Sequence, residues 1–265
     1  MSIADKKKVL EGIIRNCGSV LVSFSGGVDS TLLAVLAHDV LGDRSRAVLL
    51  DSPLVPRTAV AEAKKIAKDL MITLDIVEVP HMEHENFYKN PPGRCYHCKK
   101  ISAGYLKDAA ARYDLACIAD GVNVSDLGEH RPGLAAAIEE GIIHPFIMAG
   151  ITKEEIREIA RDRGLAIWQK PSAACLSSRV PYGDEITPDK LRMIEEAEEF
   201  LAGKGFVQCR VRLHGRVARI EVLPTDYEKL LAIREDILHR FRAIGISYVA
   251  LDLAGYRSGS MDEVL

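Results

Sequence analysis

No apolar run among the 265 residues approaches the roughly 18 needed to cross a membrane. The N-terminus, Met1-Ser2-Ile3-Ala4-Asp5-Lys6-Lys7-Lys8, lacks an apolar stretch of signal-peptide length. A cytoplasmic protein with no membrane partner is therefore expected. Positive charge is not in excess: 35 Lys and Arg face 38 Asp and Glu, for a formal net charge of −3. Contact with nucleic acid would need a local basic patch. The phosphate signature G-x-x-x-x-G-K-[ST] is missing, as is a G-x-G-x-x-G after a strand, so neither a P-loop nor a dinucleotide fold is implied. With 48% hydrophobic and 28% charged residues the composition is that of an ordinary globular protein, and the length suffices for one large or two modest domains.

What the chain does contain begins at Val20. The apolar, β-branched run Val20-Leu21-Val22-Ser23-Phe24 leads into Ser25-Gly26-Gly27-Val28-Asp29-Ser30, and a run of helical period, Thr31 to Ala37, leaves it. The pattern is strand, tight turn, helix. Gly26 and Gly27 permit left-handed backbone and close approach to a ligand. The turn amides and the free N–H groups of the new helix converge on one point, which favours an anion. Ser25 and Ser30 add hydroxyls, and Asp29 adds a carboxylate able to hold a magnesium ion. A phosphate site is expected over Ser23–Ser30; a ligand-free glycine turn is the alternative. The S-G-G-V-D-S run resembles the PP-loop of ATP pyrophosphatases. That resemblance implies ATP held by its β,γ-pyrophosphate, attack at the α-phosphate, and an adenylylated substrate.

Short β-rich runs alternate with helical ones through the first two-thirds. Strands are expected over Val20–Phe24, Ala47–Leu50, Thr73–Val79 and Leu115–Ala119. Helices are expected up to about Asn16 and over Thr31–Leu41, Pro56–Leu70, Lys99–Arg112 and Thr152–Arg163. Such alternation implies α/β architecture with a parallel sheet covered on both faces. Ligands sit at the carboxyl ends of such strands, which puts Ser25–Ser30, Asp51-Ser52 and Asp120–Asn123 on one rim. Asp51, Gly121 and Asn123 join the nucleotide-site candidates. Near residue 185 the pattern changes. Thr187-Pro188 opens an amphipathic helix, Phe206–Leu213 and Val217–Val222 alternate as a hairpin, and a helix over Tyr227–Ile244 precedes a strand over Ser247–Leu253. The expected division is a 1–184 domain and a smaller 185–265 domain of α-β-β-α-β order.

The six cysteines are expected as thiols or metal ligands rather than disulfides. Cys117 and Cys209 sit in apolar strands and read as small buried hydrophobes, as does Cys17. Cys95 and Cys98 form a C-x-x-C after Pro91-Pro92-Gly93, and Cys175 lies in a loop of small and polar residues. Lys170 and Arg179 would favour its thiolate if they face it. A third ligand from a distant loop would suit a metal site with one open position; a redox dithiol or unconnected thiols are the alternatives. His81, Glu83 and His84 read as solvated loop residues rather than a second metal site.

Five segments occur in one order: Ser25–Ser30, Asp120–Asn123, Ala174–Arg179, Arg210–Gly215, and the tail Gly255-Tyr256-Arg257-Ser258-Gly259-Ser260-Met261. That order resembles the LarE family of ATP-dependent sulfur transferases, almost from end to end. The resemblance implies a PP-loop, adenine nucleotide alpha hydrolase-like domain with a smaller C-terminal α+β domain. It also implies a role in building the nickel-pincer nucleotide cofactor of lactate racemase. A carboxylate of a pyridinium dicarboxylate mononucleotide is adenylylated with ATP and Mg2+, and sulfur replaces AMP to give a thiocarboxylate. Cys175 is the position associated with sulfur delivery. In one branch of the family it gives up its own sulfur; in the other, three cysteines hold a [4Fe-4S] cluster, the pattern that Cys95, Cys98 and Cys175 match. Arg210 and Arg212 share a strand face and are expected on the substrate's phosphate; Asp126 and Arg131 are expected to close over the site. A homo-oligomer is expected, with a sulfide donor or lactate racemase maturation proteins as partners. The rivals are a tRNA thiolase of the same loop family, against which the acidity argues, and an amidotransferase-type synthetase, which has no use for Cys175.

Overall fold

The computed structural model describes residues 1–128, 132–171, 174–257, 259–261 and 263. In chain order its first elements are α1 Ile3–Asn16, β1 Val20–Ser23, α2 Val28–Leu41, β2 Ser45–Asp51, α3 Arg57–Asp69 and β3 Leu74–Glu78. Next come α4 Glu85–Tyr88, α5 Arg94–Arg112, β4 Cys117–Ala119, α6 Pro132–Glu139, α7 Pro145–Met148 and α8 Lys153–Asp162. The remainder are α9 Pro188–Gly203, β5 Cys209–His214, β6 Val217–Val222, α10 Tyr227–Ala232, α11 Arg234–Ala243 and β7 Tyr248–Leu251. Among the described residues no helix is long and apolar enough to cross a membrane.

The chain divides into two compact units, Met1–Pro80 with Cys95–Ala173, and His81–Arg94 with Ala174–Leu265. The first unit carries a parallel sheet of order β3-β2-β1-β4, so the α/β expectation holds. Alternation along β1 explains its two covered faces. Val20 and Val22 pack with Leu10, Leu32, Leu36 and Phe146, while Leu21 packs with Val48, Leu106 and Ala109. The strand that leads to the glycine turn is thereby central and buried on both sides. Its carboxyl end is fixed in space.

The second unit holds a separate sheet of order β5-β6-β7, with β5 antiparallel and β7 parallel to β6. Asn90 explains why residues 81–94 belong here. Its side-chain amide donates to the carbonyls of Val180, Pro181 and Asp184, and its backbone carbonyl accepts from the Gly183 amide. Arg94 donates to the Asn90 side chain and to the Ser177 carbonyl.

Several boundaries differ from expectation for local reasons. The helix after the glycine turn starts at Val28, not Thr31, and α5 starts at Arg94, not Lys99, so the C-x-x-C lies within a helix. The helix expected over Tyr227–Ile244 breaks at Ile233 into α10 and α11. Val207 lies before β5 and is 90% exposed, so the alternating pattern begins at Cys209 rather than Phe206. His81 is buried against the Phe87 ring rather than solvated.

Candidate active site

At the end of β1 the backbone turns through Gly26, whose φ is +69°, the left-handed region that glycine tolerates. A Cβ here would stand 2.8 Å from Ala63 Cβ and 2.9 Å from Ala63 Cα on α3. Ser25 and Ser30 tie the turn together. The Ser25 amide donates to Ser30 Oγ at 3.1 Å, and the two hydroxyls lie 3.1 Å apart. Gly27 is the N-cap of α2 and offers no side chain to its amides. By contrast α1, α8 and α9 are capped by Ser2, Thr152 and Thr187. An apolar, buried helix that begins without a side-chain cap leaves donors aimed at an anion.

Gly121, just after β4, presses on this helix. A Cβ there would lie 2.9 Å from both the Ser30 amide nitrogen and Asp29 Cβ. The same loop joins a closed ring of four residues. Asn123 Nδ2 donates to Asp29 Oδ1, and Lys153 Nζ pairs with the other Asp29 oxygen. The Lys153 amide donates to Ser125 Oγ, and the Ser125 amide returns to Asn123 Oδ1. The structure thus brings Ser25–Ser30, Gly121 and Asn123 together. Asp126 supports the ring by accepting from the Asn123 amide at 3.0 Å; Arg131 lies outside the described residues.

Sequence reasoning missed Lys153, which follows Thr152 directly, the residue whose capping box with Glu155 opens α8. It also missed the pairing of the buried Asp120 with the buried His144 and the half-buried Lys99. Asp120 accepts from Lys99 Nζ at 3.0 Å, and its other oxygen lies 2.7 Å from His144 Nδ1. Burial pushes the Asp120 carboxyl up, but the His144 hydrogen bond and the Lys99 charge outweigh it and hold its pKa at about 2. Asp51 pairs with Arg57 at 2.6 Å. Lys170 donates to the Gly26 carbonyl and pairs with Glu62, so its charge serves the glycine turn.

The cysteines separate by surroundings. Burial pushes Cys209 up to about 12; burial and then the Cys117 thiol push Cys17 to about 12. Such thiols are inert at neutral pH. Cys95 and Cys175 are exposed, and Cys98 is half-buried. Cys95 and Cys98 stand three residues apart on α5, hence on one helical face. Among the described residues, no group of three or more His, Cys, Asp or Glu is arranged to hold a metal ion.

In the second unit Cys175 caps a single 3-10 turn, Leu176–Arg179, and its Sγ lies 3.0 Å from Ser177 Oγ. Arg179 is committed to other partners. Its guanidinium pairs with both oxygens of Glu198 and donates to the carbonyls of Ala174 and Cys175. It clamps the backbone that carries Cys175. On the hairpin, Arg212 is buried and bidentate on Glu221 at 3.1 and 2.9 Å, with further bonds to the Ser178 carbonyl and Ser260 Oγ. Arg210 is less committed: it donates to the Cys209 carbonyl and lies over the Tyr256 ring at 5.2 Å. Burial, then the like charge of Arg179, lower its pKa. A cation held in that setting gains from an anionic ligand.

Comparison with known proteins bears on both centres. The NAD synthase family matches residues 2–109, which include the glycine turn but neither Cys175 nor the hairpin. The pyridinium-3,5-bisthiocarboxylic acid mononucleotide synthase of Lactiplantibacillus plantarum is 34% identical over 265 residues, covering 100% of this chain and 96% of its own. The chain belongs to the LarE family of ATP-dependent sulfur transferases. An uncharacterized protein of Synechocystis is 39% identical over 92% of each chain. A glutamine-hydrolyzing GMP synthase of Chlamydia muridarum is 32% identical over 133 residues, 47% of this chain and 25% of its own. The NAD synthase match stops short of Cys175, whereas the LarE relative of 34% identity runs through Cys175 and the arginine hairpin as well.

Proposed function

We propose that the protein adenylylates a carboxylate of a pyridinium dicarboxylate mononucleotide with ATP and replaces AMP by sulfur, giving a thiocarboxylate for the nickel-pincer nucleotide. The observation that carries this reading is the uncapped start of α2 beneath Gly26 and Gly27, in a chain that matches a synthase of that product along its whole length. The β,γ-pyrophosphate of ATP sits on the Ser25–Ser30 amides and hydroxyls. Lys153 and Lys170 supply positive charge beside it. The donor set suits magnesium, which is held by one or two carboxylates plus substrate phosphates; Asp29 is the carboxylate, and the ion, when bound, neutralises phosphate charge. The substrate carboxylate attacks the α-phosphorus, pyrophosphate leaves, and the acyl adenylate is open to a soft nucleophile.

Arg210 holds the substrate's phosphate, with Arg212 behind it, so the C-terminal region is the substrate domain; the protein is a cytoplasmic homo-oligomer that assembles through the same region. Cys175 delivers the sulfur. The finer proposal, a [4Fe-4S] cluster on Cys95, Cys98 and Cys175, is supported by the shared helical face of the first two and the exposure of Cys175. The described residues do not assemble such a trio.

The test is product analysis with ATP and the dicarboxylate nucleotide. Pyrophosphate should form in the wild type and in Cys175→Ala, while AMP and thiocarboxylate form together in the wild type alone, the variant stopping at the acyl adenylate. ADP and orthophosphate would refute the reading. Mass spectrometry after turnover separates the sulfur sources: loss of about one H2S from Cys175 means its own atom is used, and an unchanged chain mass with bound iron means a cluster carries it.

A further inference from the structure

The tail Gly255–Met261 is far from the glycine turn in sequence and takes no part in the chemistry above, yet its residues reach both hairpin arginines. Gly255 anchors it. With φ at +72°, a Cβ there would lie 3.0 Å from Tyr227 Oη and 3.0 Å from the Val222 carbonyl, so the chain turns sharply against the end of β6. The Tyr256 amide then donates to the Val222 carbonyl at 2.9 Å, which sets its ring under the Arg210 guanidinium. Four residues on, Ser260 is 8% exposed. Its hydroxyl lies 3.1 Å from Arg212 Nη2 and donates to Glu221 Oε1 at 3.0 Å. Glu221 is fully buried and also accepts from Arg219, whose Nη2 in turn lies 3.7 Å from Met261 Sδ.

We propose that this tail is a positioning element for the substrate's anionic group: Tyr256 orients Arg210, and Ser260, directly and through Glu221, orients Arg212 behind it. The inference rests on the reading that Arg210, with Arg212 behind it, holds the nucleotide's phosphate. An arginine on a strand has many rotamers, and anion binding would have to freeze them. A ring beneath one guanidinium and a carboxylate–hydroxyl pair against the other freeze them beforehand. A tail acting in this way affects recognition of the phosphate and nothing else in the substrate.

The experiment is the initial rate of pyrophosphate formation, the step before sulfur is delivered, with two substrates, the dicarboxylate mononucleotide and the same compound lacking its phosphate. Tyr256→Leu is expected to raise KM for the nucleotide roughly three- to tenfold. Ser260→Ala should raise it about fivefold. Neither should change kcat or KM for the dephosphorylated compound. Tyr256→Phe and Ser260→Thr, which keep the ring and the hydroxyl, should behave as wild type. A tail that merely stabilises the fold would shift both substrates alike, or would respond to Tyr256→Phe as to Tyr256→Leu; either result overturns the proposal. Arg210→Leu is the control. If it also fails to distinguish the two substrates, the phosphate assignment falls; if it distinguishes them while the tail variants do not, the tail proposal alone falls.

Discussion

The glycine cradle at the end of β1 and the arginine pair on the β5–β6 hairpin both present positive potential, but from opposite materials. The cradle uses backbone. Its donors are the amides of an uncapped helix, its shape depends on Gly26 and Gly121 lacking a Cβ, and its charges, Asp29 and Lys153, remain 24% and 21% exposed. The hairpin uses guanidiniums held against carboxylates. Arg212 and Glu221 are 6% and 0% exposed, and each makes several bonds. Amides need no counter-ion when the ligand leaves. Buried guanidiniums do, because an uncompensated charge in a low dielectric is expensive. The cradle is therefore expected to be fragile to added volume and the hairpin to lost charge.

The largest effect should come from the hairpin. Glu221→Ala strands Arg212 and Arg219 without their shared acceptor and should cost about 3–5 kcal/mol, read by urea unfolding. Lys153→Met, at the partly exposed cradle pair, should cost under about 1 kcal/mol in the same assay while sharply slowing pyrophosphate release. Equal losses of stability would erase the contrast.

Gly121→Ala comes next. The new methyl meets the Ser30 amide and the Asp29 backbone, which cannot rotate away, and a displacement of that order costs about 100-fold in rate. Pyrophosphate release is the readout, and the hairpin's affinity for the substrate's phosphate should be untouched. Activity within about twofold of wild type would show that the cradle tolerates volume after all.

A smaller effect lies in acid. Asp120 has a depressed folded pKa of about 2 against an ordinary value of 3.8. Its contribution, roughly 2 kcal/mol, is present above the unfolded pKa and is lost as pH falls from about 4 towards 2. Asp120→Asn should flatten that limb of the stability curve in thermal unfolding between about pH 2 and pH 5. An unchanged limb would mean that other carboxylates dominate it.

The two regions also differed in how legible they were. The cradle could be read directly because everything in it is local: strand period, glycine pair and helix period lie close together along the chain, and the rim position of Asp120–Asn123 follows from parallel-sheet geometry. Lys153 and His144 escaped because their partners lie on other elements, and no periodicity marks a lysine at the start of a helix as the counter-ion of a distant aspartate. At the hairpin, alternation correctly put Arg210 and Arg212 on one face. It could not say that Glu221, one strand over, already occupies Arg212, nor that Arg179 is taken up by Glu198 and the Cys175 carbonyl. Asn90 was equally silent, since its amide acts only on carbonyls far along the chain, from Val180 to Asp184.

Local chemistry in the chain was enough to specify the parallel α/β sheet, the glycine turn and the family, because propensity, period and motif spacing act between near neighbours. Which charges are spent and which remain available depended on packing. Long polar side chains extend well beyond their own backbone, and only the assembled fold determines which carboxylate or carbonyl lies within that reach.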